Sequence, residues 1–378
     1  MEQKENTLEN ARKRIDSIDK QILDLLQERN QTVKNVIKTK IQNKLPIFVS
    51  DREEEKVKRF RGQAEEHGLD PEWAEDFLRM IMSSSRASQS KGNFPRATDE
   101  AKTILIVGGG GGMGSLYHRI FEMTGHHVRI LEKDGWDHVD ELVAGCDLII
   151  ISVPINKTQE VINGLTPHLS SEMILTDFTS NKNGLLNLMM EHHDGPVVSL
   201  HPMHGPDVPN LSKQLMLICP GRKEDKFDWL MRQFELWGMR TKIVDPQKHD
   251  HVMHLVQGLR HFVAHLHGSF LLKYDLRPED ILDFSSPIYR AELMMTGRIF
   301  AQHADLYADI VLSNEERRNL LMDFFHHHEE LSKLVENDDK EGFIEEFESV
   351  TEFFGDFAPQ ALKESSYLIN RLSDRFAE

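Results

Sequence analysis

The sequence predicts a multidomain chain: an all-α domain, then an α/β Rossmann-type domain, then a second all-α domain. Three observations predict it. Residues 7–43 carry apolar side chains at three- and four-residue steps, with no Pro or Gly before Pro46. Residues 104–114 read Ile-Leu-Ile-Val-Gly-Gly-Gly-Gly-Gly-Met-Gly, an apolar run that breaks into glycines. Strand-like and helix-like runs then alternate until about Cys219, and after Pro246 the pattern is helical to the end.

In the first domain (1–91), Leu8, Ala11, Ile15, Ile18, Ile22, Leu25, Leu26, Val33, Val36, Ile37 and Ile41 mark one long helix. At 1.5 Å per residue it would be roughly 55 Å long, too long for a small monomeric domain. A partner helix from a second subunit should cover its apolar stripe, which predicts a homodimer. A second helix is expected over 51–67. A third is expected over 71–91, with Asp70 as N-cap before Pro71. Residues 92–102 read as a linker. Strands are expected at 103–107, 128–132, 148–153, 173–177, 197–200 and 215–219, within a domain of 103–246. Residues 247–378 form the C-terminal helical domain, expected to supply a dimer interface.

Gly109, Gly111 and Gly114 fit the G-x-G-x-x-G spacing between a strand and a helix over 115–123. Such glycines let the backbone turn tightly and approach a pyrophosphate at a helix N-terminus. The second strand should end in an acid, and Glu132 is in place to take the ribose hydroxyls and repel a 2′-phosphate. The expected cofactor is therefore NAD, held by Gly109, Gly111, Met113, Gly114 and Glu132. Ser152, Val153 and Pro154, at the end of the third strand, are expected to join them.

The chain has 378 residues and a net charge of −17, which argues against nucleic acid or an anionic membrane as partner. An anionic substrate would need local clusters of Arg and Lys. Two cysteines without a CxxC exclude a disulfide framework and a cysteine zinc site. The first 20 residues are charged and lack an apolar signal core, so a cytoplasmic protein is expected. The 20 histidines include His261 and His265 at a metal-binding spacing. No His-Glu-x-x-His accompanies them, and no metal is expected.

Arg29 and Lys40, 11 residues apart, share a helix face. Arg12 is about 26 Å away along the same axis and could meet Arg29 only through an antiparallel partner. On helix geometry alone, a solvated face explains these charges as well as a pocket does. Residues 7–91, however, resemble the helical chorismate mutase family. The likeness lies in Ala11–Asp16, Leu25–Arg29, Val36–Lys40, Asp51–Glu53 and Ser83–Gln89. It implies an intertwined dimer that rearranges chorismate to prephenate. Arg12 of one subunit and Arg29 of the other would grip the two carboxylates. Lys40 and Gln89 would donate to the ether oxygen, and Arg52, Glu53 and Ser85 would hold the ring hydroxyl region. A Claisen rearrangement needs no nucleophile; it needs a clamped dianion and donors aimed at the oxygen that gains charge.

His201, in Leu200-His201-Pro202-Met203-His204-Gly205-Pro206, is expected just after a strand, where it could be a structural loop residue or a proton acceptor. This segment, the glycine run, Asp177–Gly184, Leu259–Phe262, Ser285–Arg290, Gly297–Gln302 and Leu306–Ile310 resemble the prephenate dehydrogenase family. Together the two likenesses cover nearly the whole chain and imply the bifunctional enzymes of tyrosine biosynthesis. Prephenate would lose a hydride to NAD and its ring carboxylate as CO2, giving 4-hydroxyphenylpyruvate. His201 would accept the hydroxyl proton, Ser152 would orient His201 or the nicotinamide, and Arg298 would pair with a carboxylate. Lys182, His261 and Tyr307 would lie near the substrate, and tyrosine would act as feedback inhibitor. The alternatives are an arogenate-using dehydrogenase and an N-terminal helical module that only dimerises or regulates.

Overall fold

The computed structural model describes residues 2–89 and 93–375, with side chains from 7–86 and 93–373. Two compact units divide the chain: Met1–Val153 with Lys157–Pro246, and Pro154–Asn156 with Gln247–Glu378.

The first unit begins with three helices, α1 (Glu2–Gln42), α2 (Ser50–Glu66) and α3 (Pro71–Gln89). The α3 N-terminus is capped as its sequence suggests: the Asp70 carboxylate accepts from the Glu72 N–H at 2.9 Å. Val57, Leu78 and Met82 form a small buried cluster between α2 and α3. Along α1 the apolar stripe stays exposed; Ile15 and Leu25 are 56% and 64% accessible.

A seven-stranded sheet follows: β1 (Thr103–Val107), β2 (His127–Leu131), β3 (Leu148–Ile151), β4 (Ile174–Asp177), β5 (Val197–Pro202), β6 (Leu215–Arg222) and β7 (Arg240–Ile243). The strand order is β2-β1-β3-β4-β5-β6-β7. The first five strands are parallel, β6 runs antiparallel to β5, and β7 is parallel to β6. Connecting helices are α4 (Gly112–Met123), α5 (Val139–Val143), α6 (Ile155–Leu165), α7 (Asn183–His192) and α8 (Asp228–Leu236). Side chains alternate between two cores: Ile104, Ile106, Leu148 and Ile150 on one face, and Leu105, Val107, Ile149 and Ile151 on the other.

Three sequence expectations are corrected here. β3 stops at Ile151, two residues before the expected end. β5 runs on through Pro202, so His201 lies within a strand and not after it. β7 was not expected: Arg-Thr-Lys-Ile is a short, exposed, charged edge strand without alternation. The segment read as a linker is pinned where it is described. Phe94 is buried and its N–H donates to the Met123 carbonyl, while Gln233 bonds both Pro95 O and Ala97 N.

The second unit is helical throughout: α9 (Pro246–Met253), a π-helical turn (His254–Leu259), α10 (Arg260–Lys273), α11 (Pro278–Leu282), α12 (Pro287–Phe300), α13 (Ala304–Leu312), α14 (Glu315–Glu336), α15 (Lys340–Phe354) and α16 (Phe357–Arg375). Its buried set is sparse, and large apolar side chains such as Leu272, Phe284 and Phe353 are more than four-fifths accessible.

Candidate active sites

Strand order reverses between β1 and β3, the position where open α/β sheets bind ligands beyond their C-terminal strand ends. The glycines sit there. Gly108 has φ +80°, and a Cβ on it would lie 2.5 Å from the Ser152 carbonyl oxygen. A Cβ on Gly109 would lie 2.7 Å from Ile130, and one on Gly114 2.3 Å from the Gly108 oxygen. Gly111 meets nothing closer than 3.3 Å; it is the N-cap of α4, whose N–H groups open toward the crevice. The cradle therefore fits a pyrophosphate: two glycines close the turn and one leaves room for backbone approach. Glu132 is exposed, and its carboxylate accepts from the Gly110 N–H at 2.6 Å, so the acid stands over the turn. Met113 is half-buried against the core. Ser152 and Val153 are half-buried at the crevice, whereas Pro154 is exposed and opens the stretch that belongs to the second unit.

The His201 segment reaches this same crevice. A Cβ on Gly112 would lie 3.0 Å from Pro206. His204, three residues after His201, is fixed from both sides: its Nδ1 donates to the Gly205 carbonyl at 3.0 Å and its Nε2 accepts from the Tyr117 hydroxyl at 3.3 Å. Burial pushes the Tyr117 phenol up and the His204 imidazole down, so both stay neutral. His204 thus packs the loop onto α4.

Behind β5 lies a buried polar network. The Lys182 Nζ donates to Asp177 Oδ2 and to the Leu200 carbonyl, both at 2.7 Å. Ser199 and Thr179 hydroxyls also donate to Asp177. The expectation that Lys182 lines a substrate pocket is corrected: its ammonium has no accessible surface, because Asp177 holds it inside the sheet. What it touches is the residue before His201.

In the second unit, the rings of His261 and Tyr307 meet edge to face at 5.0 Å. Burial, then Arg260 and Arg317, push His261 down to about 4. Burial also pushes the Tyr307 phenol up, against the opposing charges of Arg298 and Arg260. Arg298 itself is exposed on α12. A cationic face with two neutral hydrogen-bonding rings suits a carboxylate-bearing ligand. Sequence reasoning missed Arg317, which is fully buried, caps the Ile310 carbonyl, and packs on Gly258 in the π-helical turn. Nothing in the sequence distinguishes it from its neighbour Arg318.

The helical domain assembles a second cationic site. Arg29 Nη1 donates to the buried Ser85 hydroxyl at 2.6 Å, joining α1 to α3. Lys40 donates to the Ile47 carbonyl at 2.7 Å. Burial lowers the Lys40 ammonium, Arg52 lowers it further, and Glu53 opposes. Lys56, which sequence reasoning also missed, is lowered by burial, then by Arg29, Arg59 and Arg52. Its signal was the spacing: it lies four residues after Arg52 and three after Glu53 on the same face. Arg29, Lys40, Arg52 and Lys56 crowd one region in which Glu53 is the acid that opposes them, and a bound dianion relieves the excess positive charge. Arg12 is exposed on α1, remote from this cluster along the helix. The Gln89 side chain lies outside the described residues.

Comparisons with known proteins match all three domains. Residues 11–90 match the family "Chorismate mutase type II", residues 128–243 "Prephenate dehydrogenase, nucleotide-binding domain" and residues 245–349 "Prephenate dehydrogenase, dimerization domain". The chain is 38% identical to the T-protein of Haemophilus influenzae over 367 residues, 97% of each chain. This chain belongs to the T-protein family of bifunctional chorismate mutase/prephenate dehydrogenases. The T-protein of Enterobacter agglomerans is 39% identical over 96% of this chain and 97% of its own. A prephenate dehydrogenase from A. aeolicus, solved with hydroxyphenyl propionate and NAD+, shares the fold of two thirds of this chain. Its TM-score is 0.53 at 20% identity, covering 67% of this chain and 96% of that one. As a member of this family the chain rearranges chorismate to prephenate and oxidises prephenate with NAD to 4-hydroxyphenylpyruvate, two steps of tyrosine biosynthesis. No helix among the described residues is long and apolar enough to cross a membrane.

Proposed function

We propose that the rearrangement takes place at the cationic cluster of the helical domain and the oxidation at the glycine crevice, with roles as follows. In the helical domain, Arg29 and the partner copy's Arg12 grip the two carboxylates of chorismate. Lys40 and Gln89 donate to the ether oxygen. Arg52, Glu53 and Ser85 hold the ring hydroxyl region, and Lys56 adds charge. The carrying observation is the crowding of Arg29, Lys40, Arg52 and Lys56 in a chain of net charge −17. Clamping a dianion in its reactive conformer and meeting the developing charge on the ether oxygen suffice for the rearrangement. Arg29→Ala and Lys40→Ala should each lower chorismate consumption by more than tenfold; unchanged consumption would reduce this domain to a dimerising module.

In the dehydrogenase site, NAD supplies the hydride acceptor. His201 hydrogen-bonds the C4 hydroxyl of prephenate. As hydride leaves C4, the electron pair of the ring–carboxylate bond moves into the ring and CO2 departs. The hydroxyl becomes acidic on the way; His201 takes its proton and returns it to the phenolate. Gly109, Gly111, Met113, Gly114, Glu132, Ser152, Val153 and Pro154 hold the cofactor. Arg298 pairs with a substrate carboxylate, with His261 and Tyr307 near it. Turnover of arogenate at a rate rivalling prephenate would overturn the substrate assignment.

Exposed apolar stripes on α1 and across the second unit support a homodimer, since such surface is costly in a monomer. Sedimentation at the monomer mass would contradict it. Feedback inhibition by tyrosine and a cytoplasmic location complete the reading. Inhibition is tested by adding tyrosine to the prephenate assay.

A further inference from the structure

The mutase site does not end at the helical domain. Lys213 belongs to the turn before β6, and its Nζ lies 2.9 Å from Glu53 Oε2 on α2. The Glu53 side chain is 18% accessible and Arg86, which holds its other oxygen, 12%. Oε2 is buried and forms no aligned hydrogen bond, so its contact with Lys213 is an ion pair.

Lys213 is itself held. Its φ is +68°, in the left-handed region that a residue with a side chain rarely adopts. Its N–H donates to the Gly238 carbonyl at 2.8 Å, and its ammonium lies 4.9 Å from the centre of the Phe48 ring. Phe48 is seated by a missing side chain: a Cβ on Gly238 (φ +77°) would lie 2.7 Å from the Phe48 Cβ. The next residue back, Ile47, is buried, donates to the Leu236 carbonyl, and accepts from Lys40. A strained backbone persists where its surroundings over-determine it. Here the surroundings are the loop that joins the two mutase helices α1 and α2.

We infer that Lys213, a residue of the nucleotide-binding domain, is a positioning residue of the mutase site, holding with Arg86 the Glu53 carboxylate in place for the ring hydroxyl of chorismate. The inference rests on the reading of Glu53 as the acceptor for that hydroxyl. The hydroxyl is present in both the ground and transition states, so a misplaced Glu53 raises KM and spares kcat.

The test is chorismate kinetics on the full chain. Lys213→Met should raise the chorismate KM about fivefold to tenfold with kcat within about twofold, and Lys213→Arg should restore most of the loss. Prephenate oxidation measured on the same sample reports the folded fraction; if Lys213→Met folds poorly, Lys213→Gln replaces it. In a Glu53→Gln background, Lys213→Met should add nothing. An unchanged KM in Lys213→Met, a fall in kcat alone, or the same factor in the Glu53→Gln background overturns the inference. If Glu53→Gln itself leaves KM unchanged, the reading of Glu53 fails and takes the inference with it.

Discussion

Lys182 and Asp177 form a fully buried ion pair at 2.7 Å, and the same ammonium holds the carbonyl of Leu200, the residue before His201. A pair with no accessible surface is weak evidence for net stability, but breaking it is costly because the surviving charge has no solvent. Lys182→Met should therefore cost about 3–5 kcal/mol in denaturant unfolding, far beyond the roughly 0–1 kcal/mol typical of an exposed pair. It should also lower prephenate oxidation by freeing the His201 backbone. A loss of less than about 1 kcal/mol would show that Asp177 is satisfied without the lysine.

The glycine cradle makes a steric prediction. Gly114→Ala places a Cβ 2.3 Å from a backbone oxygen, which no rotamer change relieves. NAD affinity measured by calorimetry should fall more than tenfold, while chorismate consumption stays unchanged. At the rim, Glu132→Ala removes the carboxylate that repels a 2′-phosphate and should raise the rate with NADP relative to NAD. A preference left untouched would place the discrimination elsewhere.

Acid should weaken the first unit through His126. Burial, then the charge of Arg96, pushes this imidazole down to about 4 from its ordinary 6.5. Its Nδ1 accepts from the Lys102 N–H at 3.0 Å. The folded state therefore binds its proton later than the unfolded chain. The neutral form's contribution is complete above about pH 6.5, falls as pH drops through the window to about 4, and levels off below it, a loss of about 3 kcal/mol. His126→Asn keeps an acceptor but removes the titration. Its unfolding free energy should vary less across that window than the parent's; parallel curves would contradict the assignment.

Much of this was legible in the sequence because local pattern and tertiary environment agree. The Ile104–Val107 run, the glycines and Glu132 each have one physical use, and they meet in one crevice. Arg29 and Ser85, both singled out in the sequence, are joined by a hydrogen bond. What escaped was decided by long-range packing. β7 carries no alternation because both its faces are exposed. Lys182 looks like a ligand in sequence, since nothing local announces that Asp177 will hold it inside the sheet. Lys56 and Lys213 are ordinary surface lysines until α2 and the turn before β6 bring them to Glu53 and its neighbours.

The central claim is that one chain carries two separable sites, with His201 serving only the second. The most direct measurement follows NADH formation and prephenate together in His201→Asn supplied with chorismate and NAD. The account predicts that chorismate is consumed at the parent rate, prephenate accumulates, and NADH formation falls at least a hundredfold, in the range of a lost general base. NADH formation at the parent rate, or a parallel loss of chorismate consumption, would contradict it.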